Sequence, residues 1–229
     1  MREAIIDVVG IPGLREPISS ISHLIGAAVF AILSVDLIRH GRGDWTRTLS
    51  LGVMGVAAVL LLYLSGVYHL FEQSEAREFL RRLDVASVFV LIAGTITPIQ
   101  TILFTGLARW GSLAVVWAAA LSGITLRMMY FYSLPGFVSI GIFLAMGWAG
   151  AASAVLMWRR HGFAFIWPLV AGGLAYSLGA ILLELHWPTL IPGIFGPHEL
   201  WHAAVLAGLS FHWRFVSQIA SGAKLVARG

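Results

Sequence analysis

The stretch from Leu49 to Phe71 contains 23 consecutive residues without a formally charged side chain. This length matches the roughly 20 apolar residues that an α-helix needs to cross a bilayer. A membrane-spanning strand needs only about 10 residues and alternates between two faces, and this stretch does not alternate. In lipid, a long apolar run satisfies its backbone hydrogen bonds only as a helix. The stretch therefore predicts a transmembrane helix.

The rest of the chain repeats this pattern between charged or Pro- and Gly-containing breaks. We predict an all-α membrane protein, a bundle of seven transmembrane helices in a single domain over residues 1–229. The approximate spans are 21–38, 49–71, 85–107, 110–131, 136–158, 163–183 and 198–215. The turn Leu134-Pro135-Gly136 separates the fourth span from the fifth. The segment from Ala4 to Leu14 is mildly amphipathic, and it either lies on the membrane surface or forms a tail.

The composition excludes several classes of protein. Charged residues make up only 11% of the chain, against roughly 25% in soluble domains. The net charge is +4, but the basic residues flank apolar runs, as helix-flanking charges do, so we predict no nucleic-acid partner. The absence of cysteine excludes disulfides, thiolate catalysis and Cys-ligated metal.

Of the basic residues, nine lie on the side of the C-terminus and six on the other side. This difference mildly favours a cytoplasmic C-terminus.

Polar side chains inside membrane helices are costly and often functional. Ser65 and His69 are four residues apart at the end of the second span, Asp84 opens the third, and His198 and His202 are again four apart at the start of the seventh. Residues four apart share one helix face, and these three helix ends lie on one side of an alternating bundle. Three protein ligands and a water are the usual composition of a catalytic zinc site.

Simpler interpretations exist for each residue. His69 alone suits an interfacial histidine, Asp84 suits a helix N-cap or a partner of Arg81, and Ser65 can bond a backbone carbonyl. His23 suits either a position beside the metal ligands or ordinary packing. The segment His198-Glu199-Leu200-Trp201-His202 also fits HExxH, in which Glu199 would be the general base of a zinc protease. No recognisable third-ligand motif of an intramembrane protease accompanies it.

The ordered set of motifs resembles a known family. The set comprises Ser65-Gly66-Val67-Tyr68-His69, Leu83-Asp84, Leu91 to Pro98, and His198 and His202 followed by Gly208, preceded by Pro17 to Gly26. It is similar to the hemolysin III branch of the progestin and adipoQ receptor family, whose relatives include adiponectin receptors and alkaline ceramidases. The resemblance covers essentially the whole chain.

The resemblance implies a seven-helix protein with zinc held by His69, His198 and His202. It further implies that Asp84 holds the metal-bound water, with Ser65 nearby, and that the N-terminus and the zinc are cytoplasmic, against the charge count. The short tails favour a bacterial member in the cell membrane.

We therefore expect a zinc-dependent hydrolase that acts on the amide or ester of a membrane lipid or fatty-acyl substrate. The alternative is a non-catalytic lipid sensor with structural zinc. A pore-forming hemolysin is less favoured, because no helix carries a continuous polar stripe.

Overall fold

The computed structural model describes residues 15–222, which form eight α-helices joined by short connections. Their bounds are α1 Pro17–Arg39, α2 Trp45–Leu70, α3 Glu75–Leu103, α4 Gly106–Met129, α5 Gly136–Trp148, α6 Ala151–His161, α7 Phe163–Glu184 and α8 Pro197–Ala220. Over this range no β-sheet forms, and one isolated bridge pairs Ile191 with Phe195. The all-helical prediction is confirmed. The segment 4–14, predicted as a surface helix or a tail, lies outside the described residues.

Six segments are long and apolar enough to cross a membrane, with α5 and α6 counting together as one segment, Gly136–His161. α8 has 24 residues, enough for the same span, but its side chains include three histidines, Glu199 and Arg214, and it is not among the six. Side chains such as Ile32, Val56 and Leu121 are exposed on the outer faces of the helices. Exposed apolar side chains of this kind suit contact with lipid rather than water. The chain is a multi-pass membrane protein.

Two of the differences from the sequence-based spans have identifiable reasons. α3 begins at Glu75, well before the apolar run, because Ser74 caps it by accepting a hydrogen bond from the Arg77 amide at 3.2 Å. The suggestion that Asp84 caps this helix is therefore wrong, since Asp84 lies in its interior. The fifth predicted span is two helices, α5 and α6, separated at Ala149 and Gly150.

Small residues allow α1, α2 and α3 to pack closely. A Cβ added to Gly94 on α3 would lie 2.5 Å from the Ala57 Cβ on α2, and one added to Gly55 would lie 2.6 Å from the Ser34 hydroxyl on α1. Close approach at glycine is the usual way in which membrane helices gain van der Waals contact. α8 packs on α7 and also contacts α1 and α3, which completes the bundle.

Among the helix ends on one side of the bundle, four lie next to the polar residues. α1, α3 and α8 begin there, and α2 ends there. The backbone amide of Glu16, next to the start of α1, donates a hydrogen bond to the carbonyl of His69 at 3.3 Å. The Ser20 hydroxyl on α1 donates to the Gly66 carbonyl on α2 at 2.8 Å. These bonds fix the start of α1 against the end of α2, where the polar residues lie.

Candidate metal centre

Three imidazole rings meet where α2 ends and α8 begins. The Nε2 atoms of His69 and His198 are 3.3 Å apart, and those of His198 and His202 are 3.1 Å apart. His198 and His202 are one turn apart on α8, so that both rings point to the same place. His69 and His202 are almost fully buried, whereas the His198 side chain is 29% exposed. The structure thus brings together the three predicted ligands in a group that could hold one metal ion.

The predicted pair Asp84 and Ser65 lies beside this group. The Asp84 carboxylate accepts a hydrogen bond from the Ser65 hydroxyl and interacts electrostatically with His69. Ser65 is buried on α2, one turn before His69. The Ser87 hydroxyl donates to the Asp84 backbone carbonyl at 2.6 Å. This hydroxyl therefore bonds the backbone of Asp84 and not its carboxylate. Asp84 is therefore a carboxylate close to the imidazoles, and it is not one of the three clustered ligands.

A second carboxylate, from Glu16, contacts the outer side of the His69 ring. Its Oε2 lies 2.5 Å from His69 Nδ1, and its Oε1 accepts a hydrogen bond from the Arg77 guanidinium at 2.8 Å. Burial by itself raises the pKa of Glu16, but the hydrogen bond with His69 and the nearby positive charges outweigh it and lower the pKa to about 2. Glu16 is therefore ionised near neutral pH.

Arg77 is the partner that holds this carboxylate. Its side chain is 3% exposed, and its guanidinium lies over the Tyr68 ring, 4.4 Å from the ring centroid. An arginine on an aromatic face gains a favourable cation–π interaction. Glu16, Arg77, Tyr68 and His69 therefore form one connected cluster, and it joins the first residues of α1 and α3 to the end of α2.

Glu199, the predicted base of the protease interpretation, is directed elsewhere. Its Oε2 accepts a hydrogen bond from the Gly196 amide at 2.8 Å, and its Oε1 accepts one from the Ser19 hydroxyl at 3.3 Å. A glutamate that binds the backbone amide three residues earlier stabilises the start of its helix. The carboxylate thus caps the N-terminus of α8, and the Ser19 hydroxyl of α1 donates a hydrogen bond that holds it there.

His23 lies directly against the site, in agreement with a position beside the ligands. Its ring centroid is 4.0 Å from that of His202, and its Nε2 lies 3.5 Å from the His202 carbonyl oxygen.

His212 is far from the cluster, since ten residues of helix separate it from His202 by about 15 Å. Its Nε2 donates to the Leu169 carbonyl at 3.1 Å.

An apolar cavity of about 430 Å³ lies below the imidazoles, between the helices. Its wall begins one helical turn from the polar residues, with Leu61 four residues from Ser65 and Val88 four residues from Asp84. Trp201, next to His202, also lines it. At the far end lie Gln100 on α3 and His212 on α8. From Val88 to Gln100 the α3 wall rises roughly 18 Å at 1.5 Å per residue.

Sequence reasoning missed Glu16 and Arg77. Both residues precede apolar runs, and charged residues at such positions usually contact lipid headgroups or water. Nothing in the spacing of Glu16 and Arg77 links them to His69. The signal that could have found them is chemical, since a metal-ligating histidine almost always donates its other ring N–H to a carboxylate, carbonyl or water. A search for such an acceptor near the ends of α2 would have included Glu16.

Comparison with known proteins shows the family to which the chain belongs. The model of the family described as haemolysin-III related matches residues 13–213. The chain is 30% identical over 201 residues to Hemolysin-3 of Bacillus cereus, a match that covers 85% of this chain and 86% of the relative. It is 27% identical over 196 residues to the Hemolysin-3 homolog of Bacillus subtilis, covering 85% and 89%. The chain belongs to the haemolysin-III related family.

Proposed function

We propose that this protein is a seven-span membrane hydrolase that uses zinc, held by His69, His198 and His202, to cleave an amide or ester bond in a lipid. The observation that carries the proposal is the spacing of the three Nε2 atoms. Two nitrogens bound to one zinc at about 2.05 Å each, with a tetrahedral angle between them, lie about 3.3 Å apart. The 3.3 Å from His69 to His198 and the 3.1 Å from His198 to His202 fit that arrangement, and the ligand atoms of all three histidines lie within 4.8 Å of one another. In this proposal α8 is the seventh span, and His198 and His202 at its start face His69 of α2.

The number of ligands favours catalysis over a purely structural metal. Structural zinc sites have four protein ligands, whereas catalytic sites have three and one open position. Among residues 15–222 the cluster consists of three histidines, and the chain has no cysteine. A catalytic zinc supplies Lewis-acid chemistry, in that it polarises a carbonyl and makes a water molecule more acidic.

We assign the proton transfer to Asp84, which interacts electrostatically with His69. In hydrolysis, the water oxygen bonds to the carbonyl carbon while the water proton passes to the Asp84 carboxylate. The bond from that carbon to nitrogen or oxygen then breaks, and Asp84 returns the proton to the leaving group. Ser65 donates its hydroxyl hydrogen to Asp84, which orients the carboxylate for both transfers.

The cavity supports a lipid as the substrate. Its wall is almost entirely apolar, and a volume of about 430 Å³ lies within the 300–1,000 Å³ that is typical of small-molecule sites. The hydrocarbon core of a bilayer is about 30 Å thick, so the acyl chains of one leaflet extend about 15 Å. The cavity length of roughly 18 Å along α3 therefore suits one acyl chain, with its carbonyl end near Asp84.

A sensor with structural zinc is the second candidate, and one contact bears on it. Glu16 Oε2 lies 3.7 Å from His198 Nε2, close enough to suggest a fourth ligand. Both of its oxygens are already engaged, however, one by His69 Nδ1 and the other by Arg77. His69 Nδ1 is also a different ring nitrogen from the Nε2 that lies near His198. This arrangement favours the hydrolase.

The test is a turnover assay with purified protein in detergent, using a ceramide and a lysophospholipid as amide and ester substrates. We expect fatty-acid release from one of these classes, its loss when zinc is removed with a chelator, and its return when zinc is added. The Asp84→Asn variant is the matched control, since it retains the three histidines. Release by the wild type at the level of this variant, with zinc bound in both, would support the sensor instead.

A further inference from the structure

We infer that Glu16 is a positioning residue of the metal centre, which holds the His69 ring so that Nε2 faces the metal, and that Arg77 holds Glu16 in place. The inference rests on the proposed zinc site. A histidine ring has two nitrogens, and in a neutral ring one carries hydrogen and the other a lone pair. A carboxylate on Nδ1 stabilises the form with hydrogen on Nδ1, which leaves the lone pair on Nε2.

The distances support this role for Glu16. Its Oε2 is 2.5 Å from His69 Nδ1, within the distance at which the ring N–H donates a hydrogen bond to the carboxylate. The Glu16 amide also donates to the His69 carbonyl at 3.3 Å. Glu16 therefore contacts both the side chain and the backbone of one residue. Such a double contact fixes the position of the carboxylate relative to the ring.

Arg77 prevents the carboxylate from turning away. It donates to the other carboxylate oxygen at 2.8 Å, and it is itself almost fully buried on the Tyr68 ring. A guanidinium and a carboxylate form hydrogen bonds that are roughly twice as strong as those between neutral groups. The four residues thus lie in the order Tyr68, Arg77, Glu16, His69. The structure joins the start of α1 to the metal centre through this chain of contacts.

His69 and His202 differ in the hydrogen bonding of their Nδ1 atoms. The Nδ1 of His202 is buried and has no hydrogen-bond partner in the described part of the chain, whereas the Nδ1 of His69 has a carboxylate. His69 is also the only one of the three that α2 contributes, so its orientation decides whether α2 and α8 meet at one metal ion. Glu16 therefore acts on the ligand that links the two helices.

The test compares zinc affinity in the wild type, Glu16→Gln and Glu16→Ala by competition with a chromophoric chelator. Loss of a group that orients a metal ligand typically weakens binding 10- to 100-fold. We expect Glu16→Ala to lose this much and Glu16→Gln to lose less, because a neutral amide oxygen can still accept from Nδ1. Glu75→Gln, an exposed carboxylate at the start of α3, is the matched control and should bind as the wild type does.

A second measurement separates positioning from a general loss of structure. Cobalt(II) replaces zinc in the same proteins, and its visible absorption bands report the geometry of the ligands. We expect Glu16→Gln, which preserves the size of the side chain, to shift these bands, and Arg77→Met to shift them in the same direction. Unchanged bands and zinc affinity within twofold of the wild type in all three variants would overturn the inference. A wild type that binds no zinc would instead overturn the proposed function, and the inference with it.

Discussion

The carboxylate of Glu199 accepts a hydrogen bond from the backbone amide of Gly196 at 2.8 Å. This bond directs the side chain toward the start of α8, although its neighbour His198 points to the other imidazoles. A helix turns by 100° per residue, which separates the two side chains although they are adjacent in sequence. The HExxH pattern is therefore present in the sequence without the geometry of a protease base.

The first prediction compares the two carboxylates. Glu199→Gln should leave the zinc content and any lipid hydrolysis near wild-type levels, because an amide oxygen can still accept from Gly196. Asp84→Asn should retain most of the zinc and lose hydrolysis, because an amide cannot take the proton from water. Metal analysis and fatty-acid release measured on the same samples test both. Loss of hydrolysis in Glu199→Gln with full activity in Asp84→Asn would instead favour the protease.

The second prediction concerns the hydroxyl on Asp84. Ser65→Ala removes the hydrogen bond to the carboxylate, and bonds to charged groups contribute about 1.5–3 kcal/mol. We expect hydrolysis to slow by roughly 10- to 100-fold, since 1.4 kcal/mol corresponds to a factor of ten. Ser87→Ala is the matched control, because its hydroxyl binds the backbone carbonyl of the same residue. Equal rates for the two variants would remove Ser65 from the mechanism.

The third prediction concerns the apolar cavity between the helices. Ala180 is buried on α7 and lines the cavity, so Ala180→Phe should occupy part of the space. We expect this variant to co-purify with several-fold less lipid per protein, measured by mass spectrometry of extracted samples. Ala31→Phe places the same ring on the exposed face of α1, away from the cavity, and should retain the lipid. Identical lipid content in both variants would argue against the cavity as the binding site.

The fourth prediction concerns helix packing. A methyl group at Gly94 would lie 2.5 Å from the Ala57 Cβ, and overpacking of this kind typically costs about 1–3 kcal/mol. We expect Gly94→Ala to lower the midpoint of thermal unfolding in detergent by several degrees. Gly141→Ala on α5 meets no atom within 4 Å, so its midpoint should stay the same or rise slightly, because alanine favours helix over glycine. A Gly94→Ala midpoint equal to that of the wild type would contradict the packing.

Much of the fold follows from the chain, because apolar runs as long as Leu49 to Phe71 have one stable form in lipid. The pairing of His198 with His202 follows likewise from helical spacing. The split between α5 and α6 does not, since Gly147 and Gly150 lie inside an apolar run and glycine is common in membrane helices. The start of α3 at Glu75 was also not predicted. The Ser74 cap extends this helix through charged residues whose sequence is typical of a loop.

The sequence could not predict the surroundings of His69 for a different reason. Glu16 and His69 are 53 residues apart, and their contact depends on how α1 packs against α2. The charged residues Arg15, Glu16 and Arg77 have the appearance of flanking charges in contact with water. Packing instead buries Arg77, and a buried arginine requires a partner. Tertiary structure thus turns a flanking charge into part of the site.

The central claim is that three histidines hold one metal ion, and the metal content of the purified protein tests it most directly. We predict about one zinc per chain in the wild type and in His40→Ala, whose exposed histidine lies within hydrogen-bond distance of the Asp36 backbone carbonyl. The double variant His198→Ala, His202→Ala should contain almost none, since it retains one ligand of three. Zinc at one per chain in the double variant, or no zinc in the wild type after purification with zinc present, would contradict the claim.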